Sequence, residues 1–172
     1  MSNSQARLVR ALVFACLFPL AFAYLFQRSA AAGSVTTTFT AQIAIAAACA
    51  IDSASSLNFG TQGMLAANVD QSSTIQVTCT NTTPYTIGLD AGRGSGATVA
   101  ARKLTSGGNT VSYALYADAA HTTIWGNTPS SDTVAGTGNG SAQSFTVYGR
   151  VPPQGAPVPG NYSDTITVTV MY

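Results

Sequence analysis

Val35-Thr36-Thr37-Thr38-Phe39-Thr40-Ala41-Gln42-Ile43-Ala44-Ile45 alternates with a period of two. Val35, Thr37, Phe39, Ala41, Ile43 and Ile45 fall on one face, and Thr36, Thr38, Thr40, Gln42 and Ala44 on the other. That is the pattern of a β-strand with one apolar side. The strand has no obvious hairpin partner beside it in the sequence. Where it pairs is therefore the question on which fold and function turn.

Upstream of it, Arg7 and Arg10 precede an apolar run from Ala11 to Phe26, and Ser29-Ala30-Ala31-Ala32 supplies small residues for cleavage. Residues 1–32 read as a secretory signal peptide. The apolar run is short for a membrane span and is interrupted by Pro19, so no membrane insertion is expected after signal cleavage. Cys16 follows bulky Phe14 and the run continues past it, so it reads as part of the signal. Removal of the signal leaves 140 residues, enough for one domain with a real core. Residues 33–46 then carry the N-terminal strand and 47–172 the body.

The mature part holds four basic residues, Arg93, Arg102, Lys103 and Arg150, against six aspartates, Asp52, Asp70, Asp90, Asp118, Asp132 and Asp164, a balance of −2. Without a basic patch, nucleic acid and anionic lipid are poor candidate partners. Glutamate is absent, and Thr, Ser, Gly, Ala and Val dominate. Such composition describes a sheet protein whose surface is largely hydroxyl and amide.

Two cysteines survive processing, Cys49 and Cys79. In an exported chain an even pair most simply forms a disulfide. Closing a loop of about 30 residues contributes about 3.5 kcal/mol by loop-closure entropy. Two lone thiols lack the closely spaced partners of a zinc site, and the sequence has a single histidine, His121. Because Cys49 lies four residues after Ile45, the bridge is expected to anchor the root of the N-terminal strand.

Downstream, Thr74 to Thr80 alternates with Ile75, Val77 and Cys79 on one face, which directs Cys79 inward toward Cys49. Asn81-Thr82-Thr83-Pro84 is turn chemistry, and Tyr85, Ile87 and Leu89 alternate after it. The turn Ser106-Gly107-Gly108-Asn109 precedes a strand carrying Val111, Tyr113 and Leu115. Residues 125–142 read as loop, Phe145 and Val147 mark another strand, and Pro152, Pro153, Pro157 and Pro159 stiffen the loop that follows. Tyr162 to Tyr172 alternates again, with Ile166, Val168, Val170 and Tyr172 on one face. The sequence stops there, which predicts a sheet short of a strand beside it. Several short strands without a helical period predict an all-β antiparallel sandwich.

Catalytic chemistry finds little support. His121 sits in Asp118-Ala119-Ala120-His121-Thr122-Thr123 and reads as an exposed loop residue without a nucleophile. Six scattered aspartates do not form a hydrolytic carboxylate pair. The Gly92 to Gly96 loop lacks the lysine and following helix of a phosphate site. Trp125, Tyr113, Tyr116, Tyr148 and Tyr162 read as core or edge aromatics in preference to a sugar platform. The chain is expected to be no enzyme and to need no cofactor.

Several segments resemble the spore coat protein U domain family, which includes subunits of archaic chaperone-usher pili of the Csu type. These are Leu57-Asn58-Phe59-Gly60, Cys79 to Ile87, Tyr113 to Gly126, Thr146 to Pro152 and Gly160 to Val170, in the family's order. His121 is a departure, because such sequences commonly carry arginine there. The resemblance implies an immunoglobulin-like fold lacking its last strand and export to the Gram-negative periplasm. It further implies capture by a periplasmic chaperone and assembly at an outer-membrane usher into a head-to-tail surface pilus. In that assembly the strand of Val35, Thr37, Phe39, Ala41, Ile43 and Ile45 is donated to the next pilus subunit. Ile166, Val168, Val170 and Tyr172 flank the groove that receives it. A spore-coat or biofilm-matrix role and a carbohydrate-binding adhesin are the alternatives on the same fold.

Overall fold

Eight strands and no helix occupy residues 31–172, the part of the chain that the computed structural model describes. They are β1 Cys49–Ala54, β2 Val69–Cys79, β3 Pro84–Leu89, β4 Arg102–Ser106, β5 Asn109–Tyr116, β6 Val134–Thr137, β7 Ala142–Val151 and β8 Val168–Met171. The expected signal peptide lies almost wholly outside the described residues. The chain divides between Ile43 and Ala44, and the strands all belong to the unit 44–172.

Alternation decides which side of each strand is dry. In β2, Ile75, Val77 and Cys79 are buried, and in β3 Tyr85, Ile87 and Leu89 are. Val111, Tyr113 and Leu115 do the same in β5. Trp125 is 1 % exposed and donates its indole N–H to the Ile87 carbonyl at 2.9 Å. A buried Trp needs such an acceptor, and this one fixes its place in the core. The Ser106-Gly107-Gly108-Asn109 turn closes the β4–β5 hairpin, with Gly107 at φ +58°, a conformation glycine adopts without steric cost.

The strands pair antiparallel in two sheets, β1-β2-β7-β5-β4 and β6-β3-β8. In an immunoglobulin constant-type sandwich one sheet runs A-B-E-D and the other C-F-G. Here β1-β2-β7-β5 follows the first order and β3-β8 supplies C and F. The place of G, beside β8, is empty of any strand among the described residues. The fold is thus an incomplete immunoglobulin-like sandwich.

Two expectations need correction. Residues 125–142 are not all loop, because Val134–Thr137 forms the edge strand β6 against β3. Its single exposed flank and the surrounding Gly-rich sequence hide the alternation. The final strand is also shorter than Tyr162 to Tyr172: its ladder covers Val168–Met171, and Ser163 bridges separately to Thr105. The chain crosses from one sheet to the other between these two pairings, so a single alternating run serves two different neighbours.

Candidate functional site

The open side of the sandwich lies between two edge strands, β1 and β8. Ile51 in β1 stands directly opposite Val77 in β2, so both point inward. Val77 is fully buried, whereas Ile51 is 42 % exposed. Val168 and Val170 in β8 stand opposite Leu89 and Ile87, again on the inner face. Leu89 and Ile87 are buried, and Val168 and Val170 are only half-buried. Inward-facing apolar residues on both edges therefore lack the cover that their neighbours one strand away possess.

A cleft of about 320 Å3 opens there, reaching the core residues Ile75, Leu89, Leu115 and Val147 between Ala54–Leu57 on one side and Asp164–Val168 on the other. A second, of about 840 Å3, shares Leu57, Phe59, Leu104 and Asp164 with it and continues between residues 57–65 and 156–164. Together they form a groove with an apolar floor. Phe59 is held edge-on to Tyr113 with ring centroids 6.1 Å apart. A Cβ at Gly149 would collide with the Leu57 side chain, so glycine there leaves room for Leu57 to lie on β7.

Of the residues read from sequence as site residues, Ile166, Val168 and Val170 pack against the core cluster, and Tyr172, beyond β8, is 64 % exposed. Val35, Phe39, Ile43 and Ile45 are exposed, Phe39 at 92 %. Thr37 and Ala41 are exposed as well, and residues 31–48 belong to no strand. Alternation alone makes no ladder; the backbone groups of an isolated strand need a neighbour.

Cys49 and Cys79 form the expected disulfide, their Cα atoms 4.1 Å apart at the paired ends of β1 and β2. Just before it, the Thr80 amide donates to the Ala48 carbonyl at 2.9 Å, and the Ala48 amide donates to the Thr80 hydroxyl at 3.1 Å. The chain is thus clamped from Ala48 onward.

Polar residues that sequence reasoning did not single out shape the groove wall. Arg102 is completely buried, and its guanidinium donates to four carbonyls, those of Asp90, Val99, Leu89 and Trp125, at 2.7–2.9 Å. Burial lowers its proton affinity, an effect that the nearby carboxylates of Asp90, Asp164 and Asp132 offset only in part. The Asp90 carboxylate accepts from the amides of Thr167 at 2.9 Å and Gly92 at 3.0 Å. Burial opposes the charge on Asp90, but those hydrogen bonds and the nearby Arg102 outweigh it and hold the carboxyl below its ordinary range. Asp164 accepts from the Arg93 and Thr165 amides at 2.8 Å and from the Tyr113 hydroxyl at 2.8 Å. Burial, then the Asp164 carboxylate, pushes the Tyr113 phenol far above its usual range, so it stays a donor. Within Arg102-Lys103-Leu104-Thr105-Ser106 no local signal marks Arg102 for burial.

His121 is not the exposed loop residue expected. Its turn, at φ +57°, folds the ring onto the sheet edge-on to Tyr116 and Tyr148, with centroids 5.1 and 6.2 Å away. Asp118 holds that turn by accepting from the Thr122 and Thr123 amides. No three His, Cys, Asp or Glu side chains converge into a metal site among the described residues.

A family model described as the Spore Coat Protein U domain matches residues 35–169. No curated protein matches the sequence. Among solved structures, a crystal structure of the CsuC–CsuE chaperone–tip adhesion subunit pre-assembly complex, from archaic chaperone-usher Csu pili of Acinetobacter baumannii, is similar in fold, with a TM-score of 0.53 and 21% identity. The likeness covers 74% of this chain and 40% of that one.

Proposed function

The chain belongs to the spore coat protein U domain family, and from that premise we propose that it is a structural subunit of a surface pilus, polymerised by donor-strand complementation. The observation that supports this reading is the open side between β1 and β8, where inward-facing Ile51 is exposed and Val168 and Val170 are only half-buried, on edges without a neighbouring strand among the described residues. Its occupant is the segment 33–46 of a second copy. That segment offers Val35, Phe39, Ile43 and Ile45 on one face, all exposed in the single chain.

The chemistry is strand addition to an edge. A donor strand satisfies the free N–H and C=O groups of β8 and lays alternate side chains onto the floor. An uncovered groove of this kind is also an aggregation hazard, which explains why a chaperone must cover it until assembly. Burying the four large side chains contributes about 6–12 kcal/mol gross, before the cost of ordering the donor. Each subunit gives its strand to one neighbour and receives from the other. The contact is head-to-tail and non-closing, so it propagates as a filament.

In this reading the signal peptide sends the chain to the periplasm, a chaperone holds the groove and an outer-membrane usher exchanges chaperone for donor. The protein acts by assembly and not by catalysis. Replacing Phe39 and Ile43 together with Asp tests the proposal: filaments are expected to vanish from electron micrographs while the subunit still co-purifies with its chaperone. Undiminished filaments from that variant would refute donor-strand assembly.

A further inference from the structure

The stretch from Asp164 to Thr167 carries the chain from one sheet to the other. Before it, Ser163 exchanges both backbone hydrogen bonds with Thr105 at the edge of the five-stranded sheet, at 2.8 and 3.1 Å. After it, Val168–Met171 runs in ladder with β3. In between, the ordinary ladder is missing, yet Asp164, Thr165 and Ile166 line the narrower cleft directly. This part of the groove wall must be held in shape by something other than sheet pairing.

Two carboxylates meet that need. Asp90 sits where the β3–β8 ladder would continue. Its amide donates to the Thr167 carbonyl at 3.2 Å, its carbonyl accepts from Arg102, and its side chain, not its carbonyl, receives the Thr167 amide. Asp164 ties the crossing stretch to the Gly92–Arg93 loop and to the Tyr113 hydroxyl in the core. A Cβ at Gly92 would collide with the Asp164 carboxylate, so the loop is shaped to let this side chain in. Between the two anchors Ile166 is packed against the core cluster at the mouth of the groove.

We infer that Asp90 and Asp164 are positioning residues of the groove, a clasp that keeps the sheet-switching wall 164–167 formed while no donor strand is present. This rests on the donor-strand reading and adds to it. A donor adding to β8 needs Ile166 and Val168 already presented in one register. Without the clasp, the wall must be ordered at the moment of binding, and capture slows. Once a donor is zipped in, its own ladder holds the wall. The clasp therefore governs association more than dissociation.

Capture of a dye-labelled synthetic peptide of residues 33–46 by dilute, freshly refolded signal-less full chain, followed by stopped-flow anisotropy of the dye, separates these steps. Asp90→Ala removes two hydrogen bonds and Asp164→Ala three; each is expected to slow association about tenfold, with dissociation changed less than about threefold. Asp90→Asn and Asp164→Asn keep an acceptor oxygen and are expected to recover most of the rate. Amide exchange at Thr165 and Thr167 should quicken in the alanine variants only. Should those variants fail to fold, Tyr113→Phe removes a single hydrogen bond to Asp164 and keeps the packed ring, and it should slow capture about threefold. Unchanged association in the alanine variants, or in Tyr113→Phe if they do not fold, overturns the clasp. Failure of the unsubstituted chain to capture the peptide overturns the donor-strand reading itself, a distinct result.

Discussion

Residues 35–45 and 162–172 are written in nearly the same hand. Each alternates threonine with branched or aromatic apolar residues, and neither carries a lysine, arginine or proline. In the later stretch, Ile166, Val168 and Val170 pack on the core and β8 pairs with β3. In the earlier one, Val35, Phe39 and Ile43 stand exposed, Val35 wholly so. The difference shows that a period-two pattern specifies which face wants to be dry but supplies no dry place for it. The same pattern forms a ladder strand in β8 and an exposed segment outside any strand at residues 35–45.

The contrast can be broken hardest from the body. Arg102→Ala strips hydrogen bonds from the carbonyls of Leu89, Asp90, Val99 and Trp125 and empties a fully buried site. It is expected to cost about 3–5 kcal/mol, read as a lower urea midpoint, because buried acceptors left without donors are expensive. Replacing Cys49 and Cys79 together with Ser should cost about 2–5 kcal/mol in the same measurement. It should also loosen the start of β1, seen as faster amide exchange at Ala50 and Ile51.

The two stretches can then be compared directly. Val170→Asp places a carboxylate on the inner face opposite Ile87 and is expected to destabilise the isolated subunit by about 2–3 kcal/mol. Phe39→Asp, at an exposed position, should leave the subunit's urea midpoint within about 0.5 kcal/mol. A large loss of stability from Phe39→Asp would mean that the N-terminal segment already packs within its own chain.

The smallest expected effect is in acid. Asp90 and Asp70 both have carboxyls held below the ordinary value of 3.8, Asp70 chiefly by its paired hydrogen bonds from Arg150. A carboxyl depressed in the folded state adds stability above its unfolded value and loses it as pH falls through the folded one. Stability should therefore be flat at neutral pH and decline below about pH 4. Asp90→Asn should remove part of that decline; an unaltered acid limb would show that Asp90 is not linked to folding.

Much of the fold was legible because burial follows period. The alternating sets Ile75/Val77/Cys79, Tyr85/Ile87/Leu89 and Val111/Tyr113/Leu115 are the core as read from the sequence. The disulfide and the Gly107–Gly108 hairpin followed from export and turn chemistry. β6 escaped because a short edge strand of Val-Ala-Gly-Thr has too few side chains to show a period. His121 escaped because its burial depends on two tyrosines from separate strands, Tyr116 and Tyr148.

The division between sequence and tertiary structure follows from range. Alternation, turns and the cysteine pair are local or nearly so, and by themselves they determined an all-β chain with an alternating apolar segment at Val35 to Ile45. The groove was decided only in three dimensions. Ile51 and Val170 look no different in sequence from Val77 and Ile87, yet they stand uncovered because each lies on an edge strand whose outer side has no neighbour among the described residues. The wall beside them depends on Asp90, Arg102 and Asp164, brought together from three distant segments. Hydrogen bonds between side chains and distant backbone leave no period behind them, so no reading of spacing could have assembled that clasp.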